Sequence, residues 1–455
     1  MRVLFLVVLL ALVGAPVYLF VSGTHTALEL APVTVLGNAT SVKLKATNPH
    51  GTRMLLVEVE QDGKSYALPP VSSPTRRFLI DRHAAPTNLT LNLGKQAAPA
   101  LHDGKARIVV TAVSNDLRAH TDTTARDVDV MIAPPRVAAD GTQHYINQGG
   151  SEMVVFTPSG AWTEAGVKVG DRVFRGFPLP DHPGQYFSLF AFGWDLPLDT
   201  PLSVVASNPT GATASATFWY RIFPKQFRAS TIRLEDMHVE RIVNQIDPEG
   251  KIKGDVIERF VAMNSQMRRE NNKVLAELRL QSEPKFLWTG AFLPMVDSTV
   301  ESRFADRRTY TWQGEKVDEQ THLGFDLARV AHSPVPAAND GKVVFADILG
   351  IYGNCIVIDH GFGLQTIYGH LSQFEVKKGD MVKKAQEIGK TGSTGLAGGD
   401  HLHFTMQVDG VQVNAVEWWD PHWIKDRILS KTGQADAEPE TKTPARTRVV
   451  KRKRR

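Results

Sequence analysis

The feature that most constrains this chain stands at its start: Val3 to Val21 is an apolar run of nineteen residues without a charge. As a helix it rises roughly 28 Å, about the hydrocarbon thickness of a bilayer. A cleaved signal peptide carries an apolar stretch of only about 7–15 residues. Residues 1–23 are therefore read as an uncleaved transmembrane anchor. A signal peptide cut near Gly23 is the alternative, and Pro16 disfavours a cut directly after Ala15. Arg2 keeps the N-terminus on the cytoplasmic side, which places everything after Gly23 outside. That exported part has no disulfide of its own, because Cys355 is the single cysteine.

A chain of 455 residues exceeds one ordinary core and predicts several domains. Residues 28–133 read as short strands between turns. Val42 and Leu44 alternate with polar neighbours, Asp62-Gly63 is a hairpin signal, and Leu89, Leu91 and Leu93 alternate strictly. Pro134-Pro135 breaks the pattern, and residues 136–225 form a second β segment. GKARIVVTAVSND in the first segment and VVASNPTGATASATFWYRI in the second resemble closing hairpins of bacterial immunoglobulin-like domains. Both are read as β-sandwich modules serving as spacers or adaptors. In the linker expected over 226–284, Val256, Phe260, Met267, Val274 and Leu278 make a helical stripe, interrupted by Asn264 and Asn271 and ended by Pro284. Residues 285–430 are again strand-rich. The expected class is mostly β and multidomain, with an N-terminal transmembrane helix, two sandwich modules, a helical linker and a C-terminal antiparallel β domain.

The tail, 431–455, is polar and too poor in apolar residues to fold alone. Its stretch 442–455 holds eight Lys or Arg and no acid, so the remainder of a chain with net charge +4 carries −4. Basicity belongs to a tail and not to a folded surface built for nucleic acid. No Gly-rich phosphate loop stands between a strand and a helix, so no nucleotide site is expected.

Chemistry concentrates in two histidine clusters, His322-Leu-Gly-Phe-Asp326 and His401-Leu-His403-Phe404, with Tyr368-Gly-His370-Leu371 between them. A hydrolytic zinc site takes three ligands from His and carboxylate and keeps a position open for water. His322 and Asp326 offer a nitrogen and an oxygen from one short stretch, with Gly324 relaxing the backbone between them. Residues two apart in a strand face one side, so His401 and His403 project together. One can ligate while the other acts as an acid or base beside the metal.

Residues 320–423 resemble the lysostaphin-type, or LytM, zinc metallopeptidases of peptidase family M23. The likeness extends to Phe304–Tyr310 with its double Arg, to Ala331–Ala346, to Tyr352-Gly-Asn354 and to Val357-Ile-Asp-His360-Gly. It continues through Tyr368-Gly-His370-Leu371-Ser, Val376-Lys-Lys-Gly379-Asp380 and Ile388-Gly-Lys-Thr-Gly392-Ser-Thr-Gly395. The resemblance implies one Zn2+ per catalytic domain, bound by His322, Asp326 and His403, with His370 and His401 as catalytic histidines. His401 is assigned the base and His370 stabilisation of the tetrahedral intermediate, with exchange of the two left open. His332 and His360 match no catalytic position and read as structural, and Cys355 as a small buried apolar residue. Two departures, Asp400 where Pro is frequent and Thr405 where Glu is common, are expected to change the charge of the groove.

The implied function is zinc-dependent hydrolysis of peptide cross-links in bacterial peptidoglycan. The expected location is the inner membrane, single-pass, with the bulk in the periplasm, or secretion if the leader is cleaved. Expected partners are peptidoglycan, the membrane through the N-terminal helix, and cell-wall enzymes through the β modules. The competing expectation is a non-catalytic or autoinhibited adaptor that activates another cell-wall hydrolase, with residues 254–320 as a lid over the groove.

Overall fold

The computed structural model describes residues 2–75 and 83–432, so the basic tail, including Lys451 to Arg455, lies outside the described residues. The chain is mostly β and divides into two compact units. The first takes Met1–Val137 with Pro158–Glu164 and Ala206–Ser215, and the second takes Ala138–Thr157, Ala165–Val205 and everything from Ala216.

In the first unit the apolar run forms the helix Arg2–Val21, with Pro16 inside it. Its described side chains are those of Val8 and of residues 12–21, and among the described residues no helix is long and apolar enough to cross a membrane. The strands beyond it alternate as a half-buried strand must. Val42, Leu44, Leu91 and Leu93 point inward from a sheet of Ala27–Leu30, Thr40–Thr47 and Thr87–Leu93. They meet Val57, Val59, Ile108, Val110, Val128 and Val130 from a second sheet that contains Thr52–Gln61, Gly104–Ser114 and Thr121–Val130. Two inner faces sharing one core make a sandwich. Asp62 and Gly63, both at positive φ (51° and 75°), close the hairpin between Thr52–Gln61 and Lys64–Ala67, the backbone a two-residue turn requires.

The second unit is built on one large sheet. Its strands run in the order Thr299–Ser302, Phe325–Ala328, Leu402–Val408, Leu364–Leu371, Asn354–Gly361, Gly341–Ile348 and Met381–Val382. A smaller sheet beside it pairs Ala229–Leu234 in parallel with Asp306–Trp312, which pairs antiparallel with Glu315–His322. The stretch expected as a linker thus contributes a strand to the unit that carries the histidines. Its helical part, Val256–Ala262 and Arg268–Glu277, is joined by a π turn over Met263–Met267. Asp255 caps it in a reciprocal capping box with Glu258.

The buried stripe of that helix differs from the expected one. Ile257, Phe260, Met263, Leu275 and Leu278 are buried, whereas Val274 is 41% exposed. The π turn advances the register by one residue, so a stripe drawn at constant α-helical period drifts off its face. Asn264 and Asn271 belong to the buried face. Asn264 Nδ2 donates to Asp318 Oδ2 at 2.8 Å, and Asn271 Oδ1 accepts from the Ile351 amide at 2.9 Å.

The second β segment is tied to the histidine-bearing sheet by aromatic and polar contacts. Phe187, Phe286 and Phe362 form a triangle with ring centroids 4.7–5.4 Å apart. Asp409, at the turn after Leu402–Val408, receives Arg175 at 2.7 Å and Arg279 at 3.4 Å. Glu417 is buried, with Oε1 accepting from Asn147 Nδ2 at 2.7 Å and Oε2 from the Ser151 amide at 2.8 Å. No cation is among these partners. Burial raises its pKa to about 7 against the opposing pull of the Asn147 and Ser151 hydrogen bonds, with nearby Glu152 adding to the rise.

A carboxyl with a folded pKa raised from 4.5 to about 7 favours the fold below pH 4.5, and that contribution is lost as pH rises through about 7. Stability to urea, followed by tryptophan fluorescence, is expected to fall between pH 5 and 8 by up to about 3 kcal/mol on this account. Glu417→Gln should flatten that slope, and an unchanged slope would show that ionisation of Glu417 is not its cause.

Candidate metal centre

Strand register assembles the centre. Asp326 and His403 are direct partners across the antiparallel pair Phe325–Ala328 and Leu402–Val408, so their side chains leave the same face side by side. His322 ends the neighbouring strand Glu315–His322 and turns in from the edge. His322 Nε2 lies 2.9 Å from Asp326 Oδ1 and 3.0 Å from His403 Nδ1, and His403 Nδ1 lies 3.1 Å from the same Asp326 oxygen. All three residues are buried, at 4–7% exposure.

The donor set fits a cation. His322 Nδ1 donates to the Arg303 carbonyl at 3.2 Å, which leaves its Nε2 as a lone pair aimed at the other two ligands. Tetrahedral zinc with bonds of about 2.0–2.1 Å holds its ligand atoms about 3.3 Å apart, close to this triangle. The group His322, Asp326 and His403 can hold a metal ion. Burial works to raise the pKa of Asp326, but the neighbouring His322, His401 and His403 outweigh it and hold the carboxyl well below the usual carboxylate range. Asp326 Oδ2 takes a 2.7 Å bond from Arg308, so both carboxylate oxygens are engaged. The double Arg was the only sign of Arg308 in the sequence, and it does not tell which of the two turns inward.

His370 and His401 stand next to this triangle with ring centroids 4.8 Å apart. His401 Nδ1 is 2.9 Å from the Gly399 carbonyl and His370 Nδ1 is 2.8 Å from the Thr394 carbonyl. Each imidazole thus donates from Nδ1 and directs Nε2 inward, and His401 Nε2 is 3.4 Å from Asp326 Oδ1. Burial and the neighbouring His401 and His403 push the pKa of His370 well below the usual histidine value. Burial also works against charging His401, but the hydrogen bond and charge of Asp326 prevail and raise its pKa. His370 holds a left-handed backbone, φ 62°, uncommon for a non-glycine residue.

These five residues line a cleft of about 350 Å³ with Tyr352, Leu396, Arg268 and the strand Ala229–Leu234 among its walls. From the segment expected as a lid, Arg268 reaches the cleft. Its helix bonds the Ile351 amide through Asn271 and the Tyr352 hydroxyl through Asn272, at 2.9 and 2.8 Å. Arg241 donates to the Ala397 carbonyl at 3.0 Å. The linker therefore braces the loops that edge the cleft.

The other expectations fall out as follows. His360 is buried away from the cleft, its Nδ1 2.7 Å from the Asp340 carbonyl, and burial brings its pKa down to about 4. His332 pairs loosely with Asp400 at 3.7 Å, and Cys355 is fully buried. Neither Asp400 nor Thr405 lines the cleft. Asp400 turns toward the His332 amide at 3.2 Å, and Thr405 is fully buried behind His403. The expectation for Gly324 is corrected. It has no positive φ, and what it supplies is room, because a Cβ there would sit 2.6 Å from His403 Cε1 and closer still to Thr405 Oγ1.

Residues 320–415 match Peptidase family M23. Over 126 residues the chain is 36% identical to the DD-carboxypeptidase/endopeptidase Mpg of Neisseria meningitidis serogroup B, covering 27% of each chain. Over 96 residues it is 43% identical to the Peptidoglycan DD-endopeptidase ShyA of Vibrio cholerae serotype O1, covering 21% of this chain and 22% of that one. The catalytic domain of the antimicrobial peptidase lysostaphin from Staphylococcus simulans is 27% identical, with 30% of this chain and 92% of that one covered and a TM-score of 0.20. The aligned part spans about a quarter of the length of the curated relatives it matches.

Gly324→Ala is expected to push the His403 ring off its position, weakening zinc binding at least tenfold in a chelator competition. The overpacking should cost about 1–3 kcal/mol of stability. Wild-type affinity in that variant would refute the packing argument.

Proposed function

We propose that this chain, which carries a peptidase family M23 domain at residues 320–415, is a zinc-dependent endopeptidase that hydrolyses peptide cross-links of bacterial peptidoglycan. The observation that supports this most directly is the convergence of His322 Nε2, Asp326 Oδ1 and His403 Nδ1 beside two further imidazoles on the wall of one cleft. When bound there, zinc supplies polarisation of the scissile carbonyl and a nucleophile acidified toward neutral pH.

The chain's own groups do the remaining work. The Gly399 and Thr394 carbonyls fix the rings of His401 and His370, so that two Nε2 atoms face the cleft without rotational search. His401, made more basic by Asp326, takes the proton, and His370 stabilises the oxyanion once its inward Nε2 carries a proton to donate. The exchanged assignment draws on one observation: a neutral His370 that donates from Nδ1 presents a lone pair at Nε2, which suits a base. Arg308 holds Asp326 from behind, pairing with its outer oxygen.

We further place the protein in the bacterial inner membrane, with Arg2–Val21 as a single-pass anchor and the residues beyond it in the periplasm. The first unit is a spacer or a contact for other cell-wall enzymes.

The full chain should convert purified muropeptide dimers to monomers, read by mass spectrometry. A chelator should abolish this, added Zn2+ should restore it, and His401→Ala or His370→Ala should lower kcat by about 10²–10⁴-fold. Stoichiometric zinc uptake with no cleavage of dimers or whole sacculi would favour the non-catalytic or autoinhibited adaptor instead.

A further inference from the structure

We infer that Thr405 is the positioning residue that fixes the tautomer of His403 and thereby presets the metal pocket, an inference that rests on the zinc-site reading above. Residues two apart on the strand Leu402–Val408 share a face, so Thr405 stands beside His403. Its Oγ1 lies 3.0 Å from His403 Nε2 and 3.0 Å from the Leu323 carbonyl oxygen. A carbonyl only accepts, so the single hydroxyl proton of Thr405 goes to Leu323. What remains on Oγ1 is a lone pair, and the contact with His403 is satisfied only when Nε2 carries the proton.

A neutral imidazole has one proton to place. With it held on Nε2, Nδ1 is left bare, and Nδ1 is the atom that faces Asp326 Oδ1 and His322 Nε2. The opposite tautomer would put two lone pairs against each other at Thr405 and a proton into the ligand triangle. His322 is set to present a lone pair by a different device, the Arg303 carbonyl on its Nδ1. No backbone carbonyl performs that service for His403 among its described bonds, so the task falls to a side chain.

Burial makes the arrangement decisive. Thr405 is 0% exposed and His403 5%, so solvent does not replace a missing hydroxyl. The Cα of Gly324 lies so close to both groups that a side chain there would occupy their space. One hydroxyl satisfies both groups.

Three measurements on the full chain test this: zinc affinity by chelator competition, imidazole 15N spectra of the metal-free protein, and its thermal unfolding. Thr405→Val keeps the shape and deletes the hydroxyl, and Thr405→Ser keeps the hydroxyl. In the wild type His403 should be the Nε2–H tautomer. Thr405→Val should populate Nδ1–H and bind zinc at least tenfold more weakly, while Thr405→Ser should retain both the tautomer and the affinity within about threefold. Equal zinc affinity in wild type and Thr405→Val overturns the inference, as does a serine variant as weak as the valine one, which would assign the effect to packing. If Thr405→Val does not fold, an Nδ1–H tautomer in the wild-type spectrum overturns it alone. Absence of zinc uptake by the wild type would defeat the zinc reading itself, an outcome distinct from failure of the variants.

Discussion

Everything chemical in this protein depends on one cross-strand pair, Asp326 opposite His403. Antiparallel pairing brings these side chains together on one face, and a slip of one residue in either strand would turn its ligand to the opposite face. The pair is held from both sides of the sheet. Leu364–Leu371 flanks Leu402–Val408, with Gly369 opposite His403, and Thr299–Ser302 flanks Phe325–Ala328, with Ser302 opposite Asp326. The buried aliphatic faces of these central strands fix the register, and the register fixes the ligands.

A second layer keeps the ligands ready. Lone pairs crowded at about 3 Å in a buried site repel one another, and such an arrangement persists only when the surroundings over-determine it. Arg308 engages the outer oxygen of Asp326, the Arg303 carbonyl orients His322, and the Gly399 and Thr394 carbonyls orient His401 and His370. The two carbonyls that aim the latter imidazoles come from the loop between Glu387–Lys390 and Leu402–Val408, so the rings are as well placed as that loop is rigid. Its rigidity is borrowed. Arg241 reaches the Ala397 carbonyl and Gln245 the Ser393 carbonyl from the helix Asp236–Ile246, while Thr394 Oγ1 receives the Asn354 amide.

The stretch between the second β segment and the histidine-bearing strands is therefore more than a tether. Ala229–Leu234 adds a strand beside Asp306–Trp312, Asn271 and Asn272 hold the loop at Ile351 and Tyr352, and Arg279 joins Arg175 on Asp409. Buried asparagines look like faults in an apolar stripe when read along a helix. In the folded chain their polarity is their use, because Asn271 satisfies the Ile351 amide and Asn264 donates to the Asp318 carboxylate.

The sequence by itself determined the strand-rich character, the alternation that builds the first sandwich, and the identity of His322, Asp326, His370, His401 and His403 as a candidate group. Those features are local, carried by a period of two and by short spacings that survive in one dimension. Tertiary structure alone decided the rest. That Arg308 turns toward Asp326, that Thr405 lies behind a ligand and not in the cleft, that Gly324 yields space and not a turn, and that Glu417 is buried against Asn147 and Ser151 all depend on contacts between residues far apart along the chain. A side chain's chemistry is written in its type, but its pKa, its tautomer and its partner are set by what the fold brings within hydrogen-bond distance and by the water that the fold removes.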